Sequence, residues 1–179
     1  MTKISESLQL NSWRVQGIGV LRILFGLVWA IDAWFKWQPE FANNFASYLQ
    51  ETLDGQPSAV QAWLNFWVNI VNVDPLLFAR IIAISETALA LALIFGVFTN
   101  LATLGGVLLS LAIWAIPEGF GGPYAPGSTD IGAAIIYALL LIVLWLASAG
   151  QIMGIDAWLT SKLGRLSILA SGPLPVPAK

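Results

Sequence analysis

Residues 74–116 read DPLLFARIIAISETALALALIFGVFTNLATLGGVLLSLAIWAI, and their reading decides the fold. Asp74 before Pro75 is a helix start, a carboxylate for the first free N–H groups followed by a residue that lacks one. From Leu76 to Phe98 the residues are almost all apolar. A helix needs ~20 such residues to cross a hydrocarbon layer of ~30 Å. A further apolar run extends from Asn100 to Ile116. Only a tight turn at Thr99 and Asn100 separates the two, so they form an antiparallel hairpin.

Two more stretches qualify as spans, residues 17–37 and 130–148. The fourth opens after GFGGPYAPGST, with Ser128, Thr129 or Asp130 as candidate caps. The first is no cleaved signal peptide: it carries Arg22, Asp32 and Lys36, its apolar run is too long, and no A-x-A site follows. The expected organisation is all-α, an integral membrane four-helix bundle over residues 17–150. An N-terminal tail of residues 1–16 precedes it. Residues 151–179 follow as a short interfacial helix (Ile155, Trp158, Leu159, Leu163) and a disordered GPLPVPAK tail.

Composition agrees. Of 179 residues 58% are apolar and only 10% charged, and the mean hydropathy is +0.78. Soluble domains carry ~25% charged residues. Eight scattered Lys and Arg and a net charge of −2 build no nucleic-acid surface. With no His and no Cys, haem on those ligands, iron–sulfur clusters and the usual zinc, copper and iron sites are excluded, as are disulfides. No metal is expected. Any redox cofactor is an organic quinone or belongs to another chain.

Orientation follows from Lys and Arg near the helix ends. Lys3 and Arg14 precede the first span, and Lys162, Arg165 and Lys179 follow the last. The connection over residues 38–75 has no Lys or Arg, only Glu40, Glu51, Asp54 and Asp74, and the loop after the third span has only Glu118. Both termini are therefore expected in the cytoplasm of a prokaryotic cell, the protein lying in its inner membrane. Within 38–75, Phe41, Phe45, Tyr48, Leu49 and Leu53 recur at helical spacing, as do Val60, Trp63, Leu64, Trp67 and Val71. A break at Asp54, Gly55 and Pro57 separates two amphipathic helices suited to the interface.

Charges inside apolar spans cost at least ~2.5–3.5 kcal/mol each, so they pair, face inward or serve function. Arg22, Gly26, Trp29, Ala33 and Lys36 share one face of the first helix. Asp32 lies beside it, four residues before Lys36, the favourable order for an intrahelical pair. On the second helix Ala79, Ala83, Glu86 and Ala90 form a stripe that turns Glu86 into the bundle. With helix ends level, depth arithmetic predicts a buried ion pair or proton relay of Arg22 with Glu86. It also predicts an outer cluster of Asp32, Lys36 and Arg80, joined by Asp130, with Trp34, Trp37 and Tyr124 nearby as a candidate anion or quinone site. The third helix (Ala102, Gly106, Ser110) and fourth (Ala134, Ala138) offer packing faces. Trp114 and Trp145 read as interface or lipid-facing anchors.

LRILFGLVWAIDAWFK, with Arg22, Gly26 and Lys36, resembles the first-helix signature of the DoxX/DoxD-like membrane proteins. SETALALALIFGVFTNLAT, with Glu86, Gly96 and Thr99, resembles their second helix and turn, and PYAPGSTDIG is similar to the DoxD branch. The resemblance covers residues 17–150. It implies a four-helix membrane bundle and, for DoxD-type members, the large subunit of a thiosulfate:quinone oxidoreductase, with a partner subunit.

Three functions compete on these residues. One is an accessory or stabilising subunit of a membrane complex. Another is a quinone-dependent oxidoreductase subunit binding an anion such as thiosulfate at the outer face. The third is a small channel or transporter, for which the expected broken helices or repeats are missing.

Overall fold

The computed structural model describes residues 2–124, 126–128 and 130–172, with side chains from Trp13 onward. Among these residues the structure is helical throughout. Helices α1 (Thr2–Lys36), α2 (Pro39–Glu51), α3 (Ser58–Val71), α4 (Pro75–Phe95), α5 (Thr99–Ala115), α6 (Ala134–Leu146) and α7 (Asp156–Leu159) follow in order, with 3₁₀ turns at Gly119–Gly121, Ala149–Gln151 and Gly164–Leu169.

Two helical segments, Trp13–Lys36 and Pro75–Phe95, are long and apolar enough to cross a membrane, while α5 and α6 are apolar but shorter. α1 packs along α4 and α5 along α6, and the two pairs meet less closely through α4 and α5. Phe25, Trp29, Leu89, Leu93, Leu141 and Leu144 form the core where the pairs meet. Outside it the helices carry exposed Leu, Ile, Val and Phe over most of their circumference.

Local chemistry explains the helix ends. Asp74 caps α4, its Oδ1 accepting from Leu77 N–H at 3.0 Å, with Pro75 in the first turn. Gly96 closes α4 at φ +61, and Phe98 starts α5 at φ +48. The tight hairpin is as expected, trimmed to Phe95 and Thr99.

Three expectations change. The helix of α1 begins at Thr2, so residues 2–16 continue the first span as helix. α6 starts at Ala134, not near Asp130, because its cap comes from another loop: both oxygens of Glu118 accept from Ala134 N–H at 3.2 Å. Asp130 instead folds back on Gly132 N–H at 2.8 Å, and Thr129 lies outside the described residues. The interfacial helix after α6 is only the single turn of α7. The expected disordered tail is described only at Gly172.

The two amphipathic helices stand where their periodicity placed them. They cover the upper part of α4: Phe45, Leu49, Val68 and Val71 bury against Ala79. Their presence there reflects an offset. Gly26 faces Leu93 and Ile94, and the Trp37 indole N–H donates to Thr87 at 2.9 Å. α1 therefore ends opposite the middle of α4, leaving about three turns of α4 (roughly 16 Å) beyond it. We call the side of α2 and α3 the hairpin end, and the side of α7 the tail end.

Candidate functional site

The inward face of α1 and the stripe of α4 meet as their spacing predicts. Trp29, Ala33, Ala79, Ala83, Glu86 and Ala90 are buried. At their junction Lys36 Nζ lies 3.7 Å from Glu86 Oε1, and the ammonium sits 5.2 Å from the Phe41 ring centroid. Glu86 is 1% exposed, and its second oxygen has no protein partner; neither has the Trp29 indole N–H. One turn from Trp29 on α1, half-buried Asp32 makes no hydrogen bond or ion pair with a described residue. It is close enough to act electrostatically on Glu86 and on the Tyr137 hydroxyl. Tyr137 reaches this group from α6, its ring edge-on to Phe25 at 5.2 Å and to Trp29 at 5.6 Å.

Three polar groups, the Trp29 indole, Asp32 and the Tyr137 hydroxyl, thus stand without hydrogen-bond partners among the described residues around one ion pair, whose own Glu86 Oε2 is also unpartnered. Buried polar atoms are nearly always satisfied, and the two that are fully buried, Trp29 Nε1 and Glu86 Oε2, cost ~1–3 kcal/mol each. The cluster combines donors (Trp29, Tyr137, Lys36) with acceptors (Asp32, Glu86) from three helices. Sequence reasoning named Asp32, Lys36, Glu86 and the buried face of Trp29. It missed Tyr137, whose period on α6 relative to Ala134 and Ala138 was the available signal.

The pairing of Arg22 with Glu86 is not formed. Arg22, fully buried, donates from Nη1 to Ala149 O at 3.0 Å and from Nη2 to Met153 O at 3.1 Å, both beyond α6 at the tail end. Its partner charge is Asp156, near enough for electrostatic attraction. Asp156, also fully buried, accepts from Phe98 N–H at 2.8 Å, Thr99 N–H at 2.9 Å and Ser171 N–H at 3.0 Å. This knot fastens the start of α5, the chain after α6 and the C-terminal segment to one carboxylate. Gly96 and Gly154 make room for it: a Cβ would lie 2.0 Å and 2.5 Å from Arg22 Nη1. Arg22 is therefore an architectural cation.

The outer cluster is not assembled either. Lys36 pairs with Glu86 rather than Asp32. Arg80 is exposed on α4, with no ion pair to a described residue, several residues beyond Glu86 toward the hairpin end. The offset of α1 is the reason: with helix ends staggered, Asp32 and Arg80 are not level. Trp34 points outward, 67% exposed. Trp37 is exposed but tied to Thr87. Tyr124 and Asp130 belong to the loop before α6, where the Tyr124 hydroxyl donates to Phe120 O. Trp145 is exposed as expected, whereas Trp114 donates to Ile131 O at 2.8 Å and packs edge-on against Phe120.

That loop forms a second polar region. Together with the turn between α2 and α3 it walls a cavity of about 560 Å³ lined, among the described residues, by Glu51, Asp54, Glu118 and Asp130 and by no Lys or Arg. Among the described residues no group of three His, Cys, Asp or Glu could hold a metal ion. Searches of known protein families, curated proteins and solved structures return no match to this chain.

Proposed function

We propose that the chain is a multi-pass protein of a prokaryotic inner membrane, with α1, α4, α5 and α6 as four spans and both termini cytoplasmic. In this reading it works as a DoxX/DoxD-like subunit of a larger membrane complex. The apolar circumference supports the topology, as do Lys3, Arg14, Lys162 and Arg165 flanking the helices at the tail end with no Lys or Arg in the connection over residues 38–75. The lengths of α5 and α6 fit if adjoining loop residues complete the crossing.

The observation that carries the functional reading is the Lys36–Glu86 pair with unpartnered Trp29, Asp32 and Tyr137 around it. Around it a donor and acceptor set is left without hydrogen-bond partners among the described residues, beside aromatic rings. That set suits a quinone head group, whose carbonyls need donors and whose reduction takes up protons. Quinone-linked chemistry is thus the second reading, with electrons supplied by a partner chain. The thiosulfate reading draws less support. A dianion needs clustered cations, whereas Lys36 is neutralised, Arg80 stands alone and the hairpin-end cavity is acidic.

Purification in mild detergent, with mass analysis of co-purifying chains and extracted quinone, tests this. The expected result is stoichiometric partner chains, with quinone retained by the wild type and lost from Tyr137→Phe/Glu86→Gln. A monodisperse chain free of partners and quinone would reject the proposal.

A further inference from the structure

A groove opens at the tail end between α5, α6 and the 3₁₀ turn of Gly164–Leu169. It has a volume of about 470 Å³ and is walled by Leu104 and Val107 of α5, Ile142 and Trp145 of α6, and Ile168 and Leu169 of the turn. From Asn100 to Val107 it follows α5 for about 10 Å toward the middle of the bundle. Its two hydrophilic residues use their donors inside the fold. The Thr103 hydroxyl donates to Thr99 O at 2.8 Å, and the Asn100 amide donates to Ile168 O at 3.2 Å, which ties the turn to α5. The walls therefore present hydrocarbon to whatever enters.

The mouth of this groove is basic. In a 3₁₀ turn residues three apart eclipse, so Arg165 stands on the face of Ile168, and it makes no hydrogen bond or ion pair with a described residue. Leu166 and Ile168 beside it are 59% and 77% exposed. Trp158 on α7 is exposed as well, with Lys162 Nζ 3.7 Å from its ring centroid. Apolar and aromatic side chains exposed between cations suit the depth of lipid head groups, where long stems follow apolar surface and the charge meets phosphate. Among the residues described with side chains, Asp156 is the sole carboxylate at this end, and its oxygens are taken by the Phe98, Thr99 and Ser171 N–H groups. Nothing described there neutralises Arg165.

We propose that the groove seats one acyl chain of an anionic phospholipid, whose phosphate Arg165 holds at the mouth. A guanidinium meets phosphate through two parallel N–H bonds. Anionic lipids give the cytoplasmic leaflet its negative surface, and the tail end faces that leaflet in the topology proposed above. The proposal rests on that topology and is independent of the quinone reading, since groove and ion-pair cluster share no residue.

The test is native mass spectrometry of the full chain, extracted from membranes in mild detergent, with equal amounts of phosphatidylglycerol and phosphatidylcholine carrying the same acyl chains. One retained phosphatidylglycerol per chain is expected, favoured about fivefold over phosphatidylcholine, the effect of one Arg beside an anionic head group. Arg165→Ala should bring that preference within about twofold of parity. Arg14→Ala, which removes the same charge from the same end outside the groove, should leave it unchanged. Leu104→Trp, at an exposed position of the groove wall, should lower retention of both lipids. If that variant fails to fold, the comparison of Arg165→Ala with Arg14→Ala decides. Equal effects of the two arginine variants, release of the lipid by excess glycerol phosphate, or a dimer of the chain that excludes lipid would each overturn the proposal. Recovery of the chain from cells without detergent would overturn the topology as well, whereas a membrane-bound chain that holds both lipids alike overturns this proposal alone.

Discussion

Lys36 ends α1, yet its ammonium lies 3.7 Å from Glu86, the twelfth residue of α4. The contact measures the stagger between the two longest helices. It also places the ion pair deep in the bundle rather than at its rim.

Breaking a buried pair by removing one partner strands the other charge, at a cost of about 3–5 kcal/mol, whereas replacing both by apolar groups is often neutral. Lys36→Met and Glu86→Leu should each lower the melting temperature in detergent sharply, and the double variant should recover most of it. A double variant as unstable as the worse single would disprove the pairing.

Arg80 makes the contrasting case. Exposed and unpaired among the described residues, Arg80→Ala should change stability by no more than about 0.5 kcal/mol. A loss of several kcal/mol in the same melting assay would reveal a partner that the fold described above does not contain.

Asp156 holds three backbone N–H groups away from water. Asp156→Ala would orphan them beside a buried guanidinium, costing at least about 3 kcal/mol at ~1–3 kcal/mol for each unmet group. Limited proteolysis should then cut first between Thr160 and Ser171. Protection equal to the wild type would sink the idea that this carboxylate fastens the tail end.

Glu118 caps α6 from a distance. Glu118→Ala should cost about 1 kcal/mol and raise amide exchange at Ala134 and the following turn, while Glu118→Gln keeps an acceptor and should lose less. Unchanged exchange in the alanine variant would show that α6 starts without it.

The chain has no cysteine, so single cysteines report topology cleanly. A membrane-impermeant maleimide should label Asn43→Cys in intact cells, and Ser161→Cys only after permeabilisation. The opposite pattern would reverse the orientation read from Lys and Arg.

Periodicity within one helix made the inward faces legible: Arg22, Gly26, Trp29 and Ala33 on α1, and Ala79, Ala83, Glu86 and Ala90 on α4, are all buried. Asp74 and Pro75 announced the start of α4. Height was not legible. A stripe tells which way a residue points, not how far one helix has slid along another, so level ends misassigned the partners of Arg22, Lys36 and Asp32. Nor does local sequence link Asp156 to Phe98 and Thr99, which lie more than fifty residues away. Tyr137 was missed for the same reason, because its role arises only where the two helix pairs meet.

The Asp156 knot also bears on how the molecule is made. The carboxylate that secures the α4–α5 turn, and the Ser171 amide that completes the knot, follow that turn by more than fifty residues and are made after the helices they fasten. Until then the earlier helices have no lock at their tail end, and Arg22 has no opposite charge nearby. The helices made first are thus fastened at their tail end by a short segment made after them.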